Sequence, residues 1–174
     1  MRRRPLIYLK AVGATTVQAY AQVTIQEATM YKNILIPTDG SELSAKVVKH
    51  GIAFARALGA EITALTVIEP FPVFAVDPTV LTDTPAAYEK HARQHAESTL
   101  SAVSAACKAA GVACRIVHAE DAHPYEAIIK TAQVQGCDLI LMASHGRHGV
   151  SAVVLGSETL KVLTHSKFPV LVYR

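Results

Sequence analysis

Two segments of the sequence combine glycines with hydroxyl, acidic and basic side chains. One is residues 37–41 (PTDGS), and the other is residues 143–149 (ASHGRHG), which leads to a Gly-Ser pair at 156–157. Glycines such as Gly146 and Gly149 allow backbone N–H groups to converge on one anion, and they let a phosphate approach closely. The second segment therefore predicts an anion site.

The Gly-Ser pair strengthens this interpretation. Gly156 and Ser157 stand where a helix is expected to begin, so unpaired N–H groups and the helix dipole favour a negative ligand there. Ser144 and Ser157 offer hydroxyl donors, and Arg147 adds a positive charge. Taken from the residues alone, the same glycines also fit simple turns, and both interpretations stay open.

The histidines do not predict a metal site. His145, His148 and His165 lack a known ligand spacing, and no cysteine or acidic cluster completes a set with them. His165 is expected to interact with the carboxyl end of its helix. His91 and His95 are four residues apart and fit an exposed helix face. The chain has neither a G-x-S-x-G elbow nor a P-loop, so we expect no catalytic residues and favour binding over turnover.

Strand and helix patterns alternate from residue 33 onwards. Strands are expected at 33–37, 61–67, 112–119, 139–143 and 169–173, with helices ending near 58, at 86–110, at 124–135 and at 157–165. This order predicts an α/β fold with a parallel sheet that is covered by helices on both faces. Ligands of such sheets bind outside the carboxyl ends of the strands, where both segments lie. Residues 68–85 hold four prolines and predict a long loop, a candidate lid or insertion.

The amino-acid composition of the chain excludes some classes of protein. The chain has 174 residues, of which 51% are apolar and 18% charged, which excludes intrinsic disorder. Residues 1–29 hold four basic residues and one acidic residue, so the net charge of +3 belongs to them and 30–174 is formally neutral. A second start at Met30 favours a start-site artefact or a mobile tail for 1–29, with export and organellar import as alternatives. We expect one domain at 30–174, with neither nucleic acid nor membrane as a partner.

The three cysteines indicate a reducing compartment. Cys107, Cys114 and Cys137 have no paired spacing, so no disulfide framework is expected and a cytoplasmic location fits. Cys107 and Cys114 are expected to be core thiols, and Cys137 is expected to be buried.

Several motifs, in order, resemble the universal stress protein family. They are the opening KNILIPTDGS, the strand end LTV at 65–67, the run LILMASHG, the Gly-x9-Gly-Ser spacing from 146 to 157 and the closing KFPVLVY. The resemblance covers residues 30–174. It implies an adenine nucleotide alpha hydrolase-like fold, with an open five-stranded parallel sheet in the order 3-2-1-4-5, in a protein that is usually a homodimer.

The resemblance also implies a cofactor, ATP, with Mg²⁺ as an accompanying ion. ATP-binding members carry glycine, two residues, glycine, nine residues, then glycine and Ser or Thr, and Ala143 replaces the first glycine here. Asp39 matches the acid that binds the ribose, and Pro37 and Val67 match residues of the adenine pocket. Without the resemblance, Asp39 fits a helix cap and the other two fit strand-end packing. The expected cofactor site comprises Pro37, Thr38, Asp39, Val67, Ala143, Ser144, His145, Gly146, Arg147, Gly149, Gly156 and Ser157.

The function expected from these residues is a cytoplasmic, ATP-binding regulatory homodimer in the stress response. The apolar strand at 169–173 is expected at a sheet edge, and antiparallel pairing of two such edges would give a twofold dimer. Two alternatives stay open. One is slow ATP hydrolysis or autophosphorylation, with Ser144 or Ser157 as the acceptor. The other is a dimeric stress module that binds no nucleotide, which Ala143 favours.

Overall fold

A computed structural model describes residues 30–71, 84–146 and 155–174. Within these ranges, five strands and four helices alternate along the chain. The strands are β1 (Asn33–Pro37), β2 (Glu61–Ile68), β3 (Cys114–Glu120), β4 (Leu139–Ala143) and β5 (Val170–Tyr173), and the helices are α1 (Glu42–Leu58), α2 (Pro85–Ala110), α3 (Pro124–Val134) and α4 (Ser157–His165).

The strands form one parallel sheet in the order β3-β2-β1-β4-β5. This confirms both the predicted fold class and the predicted strand order. β1 and β4 are neighbours, with Ile34 in register with Leu139. Parallel neighbours end at the same edge, so the segments that follow β1 and β4 leave the sheet side by side. This is the point at which the strand order reverses, where open α/β sheets bind ligands.

Alternating side chains of the central strands supply the core on both faces. Ile34 and Ile36 pack among residues of α1 and α2, whereas Leu35, between them, packs among residues of α3 and α4. All three side chains are completely buried. Burial of one such side chain contributes about 1.5–3 kcal/mol. Helices thus cover both faces, as predicted.

The helix boundaries follow local signals in the sequence. Ser41 caps α1, because its Oγ accepts a hydrogen bond from the N–H of Ser44 at 3.2 Å. α1 ends at Gly59 and α2 at Gly111, as predicted, and Pro124 occupies the first turn of α3. α3 ends at Val134, one residue before its predicted end.

The third strand differs most from its prediction. It begins at Cys114, two residues after the predicted start, and it lies at the edge of the sheet. Ile116 is therefore 48% exposed, and Cys114 is only partly buried rather than a core thiol. Cys107 and Cys137 are buried, as predicted. Burial raises the pKa of the Cys107 thiol to about 12.

Three predicted features lie outside the described residues. They are the extension at 1–29, residues 72–83 of the candidate lid, and residues 147–154, which include Arg147, His148 and Gly149. Among the described residues, no helix has the length and apolar character needed to cross a membrane.

Candidate functional site

Asp39 stands in the turn that joins β1 to α1. Its Oδ1 accepts a hydrogen bond from the backbone N–H of Ser41 at 3.0 Å, which orients the carboxylate. The helix cap is Ser41, so the structure excludes the alternative in which Asp39 is merely the cap of α1. The orientation of Asp39 is therefore fixed locally by the turn.

The loop after β4 brings Gly146 against this carboxylate. A Cβ atom added to Gly146 would lie 2.9 Å from Oδ2 of Asp39, closer than real Cβ contacts. Gly146 is exposed to solvent on the side away from Asp39, so packing on that side does not explain why this position is a glycine. The close approach to Asp39 explains why this position suits glycine, and it unites the two segments that the sequence singled out.

Gly156 anchors the start of α4 to the end of β4. Its N–H donates to the carbonyl oxygen of Ser144 at 2.8 Å, and a Cβ atom at this position would lie 3.2 Å from the Cα of His145. The hydroxyl of Thr159 donates to the carbonyl oxygen of Ala143 at 2.9 Å. Gly156 is the N-cap of α4 and provides no side-chain cap, so the first-turn N–H groups are not capped by a side chain. α4 therefore begins at the edge where Asp39 lies.

Ser144, which follows β4, and Ser157, which begins α4, differ in accessibility. Ser144 is 3% exposed, its N–H donates to the carbonyl oxygen of Tyr173 at 2.8 Å, and its hydroxyl lies 3.1 Å from Nδ1 of His145. Through these contacts, Ser144 and His145 support the end of β4. Ser157 is exposed at the first position of α4. Of the two predicted phosphate acceptors, Ser157 is thus the accessible one.

Pro37 and Val67 lie on one face of neighbouring strands. Pro37 is in register with Leu65, two residues before Val67, and strand side chains alternate between faces. Both residues are half-buried at the carboxyl edge, and they face α3 and α4. They form an apolar surface beside Asp39.

Thr38 supports the turn rather than opening onto this edge. It is 6% exposed, and its hydroxyl donates to Oγ of Ser44 at 3.1 Å. Its N–H donates to the carbonyl oxygen of Leu65 at 2.8 Å, and its carbonyl oxygen accepts from the hydroxyl of Thr66 at 3.0 Å. These contacts fix the position from which Asp39 projects.

His95 of α2 is a site residue that the sequence did not indicate. It lies on an exposed surface, as predicted, but its Nε2 is also 3.1 Å from the carbonyl oxygen of Asp39, 56 residues away in the chain. Gly40 sits against the same helix with a φ of +78°, and a Cβ atom there would lie 2.9 Å from Oγ1 of Thr99. α2 therefore packs against the turn that carries Asp39. No spacing rule predicts so distant a contact.

Glu158 connects the start of α4 to α3. Its Oε2 accepts from the N–H of Tyr125 at 2.9 Å, and its Oε1 lies 2.8 Å from Nζ of Lys161. Lys161 thereby offsets an acidic charge close to the predicted anion site. From the sequence, Glu158 fits an ordinary acidic residue in the first turn of a helix.

Within 30–71, 84–146 and 155–174, no group of three or more His, Cys, Asp or Glu side chains could hold a metal ion. His165 interacts with its own helix, as expected, since its Nδ1 lies 2.8 Å from the carbonyl oxygen of Lys161.

Comparison with known proteins gives consistent matches. Residues 30–174 match the model of the universal stress protein family. The universal stress protein MJ0531 of Methanocaldococcus jannaschii is 30% identical over 150 residues, which cover 83% of each chain. MJ0577 of the same organism is 29% identical, and its solved structure gives a TM-score of 0.67 over 82% of this chain and 95% of that one.

A further solved structure is a universal stress protein in complex with cAMP. It is 24% identical and gives a TM-score of 0.62 over 83% of this chain and 97% of that one. At this identity the likeness shows the fold alone. The family model, by contrast, matches most of the chain, and the sheet order and the glycine spacing agree with it. The chain belongs to the universal stress protein family.

Proposed function

We propose that this chain binds ATP, together with Mg²⁺, at the carboxyl edge of β1 and β4. The observation that carries the proposal is the approach of Gly146 to the Asp39 carboxylate. An acceptor suited to a sugar diol and a glycine loop suited to phosphates meet there, although they are far apart in the sequence. At Gly146 and Gly156 an added Cβ atom would meet neighbouring atoms at 2.9 and 3.2 Å, so both positions suit glycine.

The residues at this edge fit the parts of ATP. The carboxylate of Asp39 accepts hydrogen bonds from the ribose hydroxyls. Pro37 and Val67 contact the adenine ring, and the N–H groups at the start of α4 and the hydroxyl of Ser157 hold phosphate oxygens. Mg²⁺ supplies neutralising charge to those phosphates. A universal stress protein of the same fold has been solved in complex with cAMP, which also contains adenine and ribose.

Ala143 is compatible with this role. It ends β4 in register with Tyr173, in the extended conformation that alanine readily adopts. Its side chain packs with the core cluster between the sheet and α1, away from the face of Pro37 and Val67. We therefore expect the methyl group in place of the family's glycine to reduce or retain ATP affinity rather than abolish it.

A matched pair of substitutions tests the proposal. Asp39→Asn keeps an oxygen for the Ser41 N–H but removes the charge, so ATP binding measured by isothermal titration should weaken at least tenfold. Asp138→Asn is the control, because Asp138 accepts from the N–H groups of Lys32 and Asn33 at the opposite edge of the sheet. No heat with millimolar ATP, or equal weakening by both changes, contradicts the proposal.

The proposal includes a cytoplasmic, regulatory homodimer paired through residues 169–173. β5 is an edge strand, and its Leu171 is 46% exposed. Antiparallel pairing of two β5 strands would cover this side chain and join two sheets. Sedimentation velocity should show a dimer at micromolar concentration, and a monomer alone at that concentration would rule out this pairing.

Autophosphorylation is a second candidate because Ser157 is exposed beside the proposed phosphates. Mass spectrometry after incubation with ATP and Mg²⁺ should then find phosphate on Ser157 and none on buried Ser144. Unmodified protein would indicate binding without group transfer.

A further inference from the structure

A groove of about 550 Å³ runs between α1 and α2. It borders the turn after β1, since Thr38 and Gly40 line it, but Asp39, Gly146 and Gly156 do not. α1 and α2 pack on one face of the sheet, whereas Pro37 and Val67 face the other. Nothing in the proposed function uses this groove.

The walls of the groove are aliphatic. Val48 and Ile52 of α1 stand opposite Val103 of α2, and Ala102 and Ala106 are small enough to leave the space open. The lining on α2 spans residues 95–106, which corresponds to about 16 Å of helix. The volume lies within the range of small-molecule sites, roughly 300–1,000 Å³. Because no Phe, Tyr or Trp is among the lining residues, the walls suit a narrow aliphatic body.

The charged residues that line the groove indicate which kind of ligand head group it would bind. Lys49 lines it, and the twelve described lining residues include no Asp or Glu. The ion pairs among the described residues use Lys46, Arg93, Arg115 and Lys161 but not Lys49. Thr99 and His95 also line the groove, and Oγ1 of Thr99 lies 3.4 Å from Nε2 of His95. An aliphatic surface with a cation and without acids is complementary to an anionic head on an apolar tail.

We propose that the α1–α2 groove binds a free aliphatic carboxylate of medium chain length, such as decanoate. The hydrocarbon tail lies along Val48, Ile52 and Val103, and the carboxylate pairs with the ammonium group of Lys49. The proposal does not rest on the proposed function, so it stands even if the edge of β1 and β4 takes no ATP.

Titration of the full-length protein with decanoate, followed by amide NMR, tests the site. We expect saturable shift changes confined to residues 38–40, 45–52 and 95–106. Ala102→Leu fills the groove and should weaken binding at least tenfold, whereas Ala105→Leu is the matched control, since Ala105 is equally exposed on α2 but does not line the groove. Lys49→Gln should weaken binding of decanoate severalfold and leave binding of decan-1-ol unchanged.

Several results would overturn the proposal. Shift changes that do not saturate, or that spread over the whole surface, would show adsorption without a site. Equal effects of Ala102→Leu and Ala105→Leu would exclude the groove, and decylamine binding as tightly as decanoate would exclude the anionic head. Lys49→Gln changes an exposed residue, so it provides the test even if Ala102→Leu fails to fold. ATP titrations of the same variants report separately on the nucleotide site.

Discussion

The contact between Gly146 and Asp39 predicts a specific coupling between two substitutions. Gly146→Ala would place a Cβ atom 2.9 Å from Oδ2 of Asp39, whereas ordinary contacts begin at 3.4 Å. To restore an ordinary contact distance, the Asp39 carboxylate or the loop that carries Gly146 must move by about 0.5 Å. The carboxylate also accepts a hydrogen bond from the N–H of Ser41. The movement therefore costs either that hydrogen bond or the alignment of the carboxylate with the ribose of the proposed ATP.

The expected magnitude follows from the hydrogen bond at risk. A hydrogen bond to a charged group contributes about 1.5–3 kcal/mol. Loss of one such bond to the ribose weakens ATP binding by roughly tenfold to a hundredfold. If the carboxylate keeps its hydrogen bond to the N–H of Ser41, the free energy of unfolding should change by no more than about 0.5 kcal/mol, because Gly146 is exposed.

Isothermal titration of ATP into four proteins measures the coupling. They are the natural chain, Gly146→Ala, Asp39→Ala and the double variant. In the Asp39→Ala background the added methyl group meets no carboxylate, so Gly146→Ala should cost little more affinity, and the coupling free energy should be about 1 kcal/mol or larger. Additive effects would refute the reasoning, because they would show that Gly146 acts without Asp39.

Gly136→Ala is the control for a general effect of replacing glycine. Gly136 has a φ of +66°, and a Cβ atom there would have no neighbour within 4 Å. The strained backbone should lower the free energy of unfolding by roughly 1–2 kcal/mol, while ATP affinity stays unchanged.

Three further predictions concern stability, assembly and reactivity. Gly40→Ala should lower the free energy of unfolding in urea by at least about 1–2 kcal/mol, because Gly40 has a φ of +78° and its Cβ would crowd Thr99; an unchanged midpoint would contradict this. Leu171→Lys should convert the proposed dimer to a monomer in sedimentation, since a charge would enter the β5 edge, and a persisting dimer would place the interface elsewhere. Cys107 should react with a disulfide reagent at least about tenfold more slowly in the native than in the unfolded protein, because its side chain is completely buried and burial raises the pKa of the thiol to about 12; similar rates would show that the thiol is accessible.

The parts of the fold that depend on local patterns were predictable. The run LILMA has no polar residue, and it forms a strand that is buried along most of its length. The glycines at 59 and 111 follow the ends of α1 and α2. The strand order came from the resemblance to the universal stress protein family, and it brings Asp39 and Gly146 together, because the segments after β1 and β4 leave one edge of the sheet together.

The rest depends on contacts between distant residues. His95 reaches the carbonyl oxygen of Asp39 only because α2 packs beside α1, and its position within α2 does not show this. Cys114 has the character of a core residue, but β3 lies at the sheet edge, so its burial is incomplete. The burial of Ser144 follows from the bond between its N–H and Tyr173, which requires β5 to be in place.

The turn that carries Asp39 is contacted by three separate elements. Thr66 of β2 donates to the carbonyl oxygen of Thr38, His95 of α2 approaches that of Asp39, and Gly146 abuts the carboxylate. α2 is also one wall of the groove, and it packs closely against the turn at Gly40. A ligand that shifts α2 therefore also displaces this turn. The groove and the proposed nucleotide site therefore share this turn. Any change that a bound carboxylate makes to ATP affinity must be matched by an equal effect of ATP on carboxylate affinity, because linkage between two binding equilibria is reciprocal.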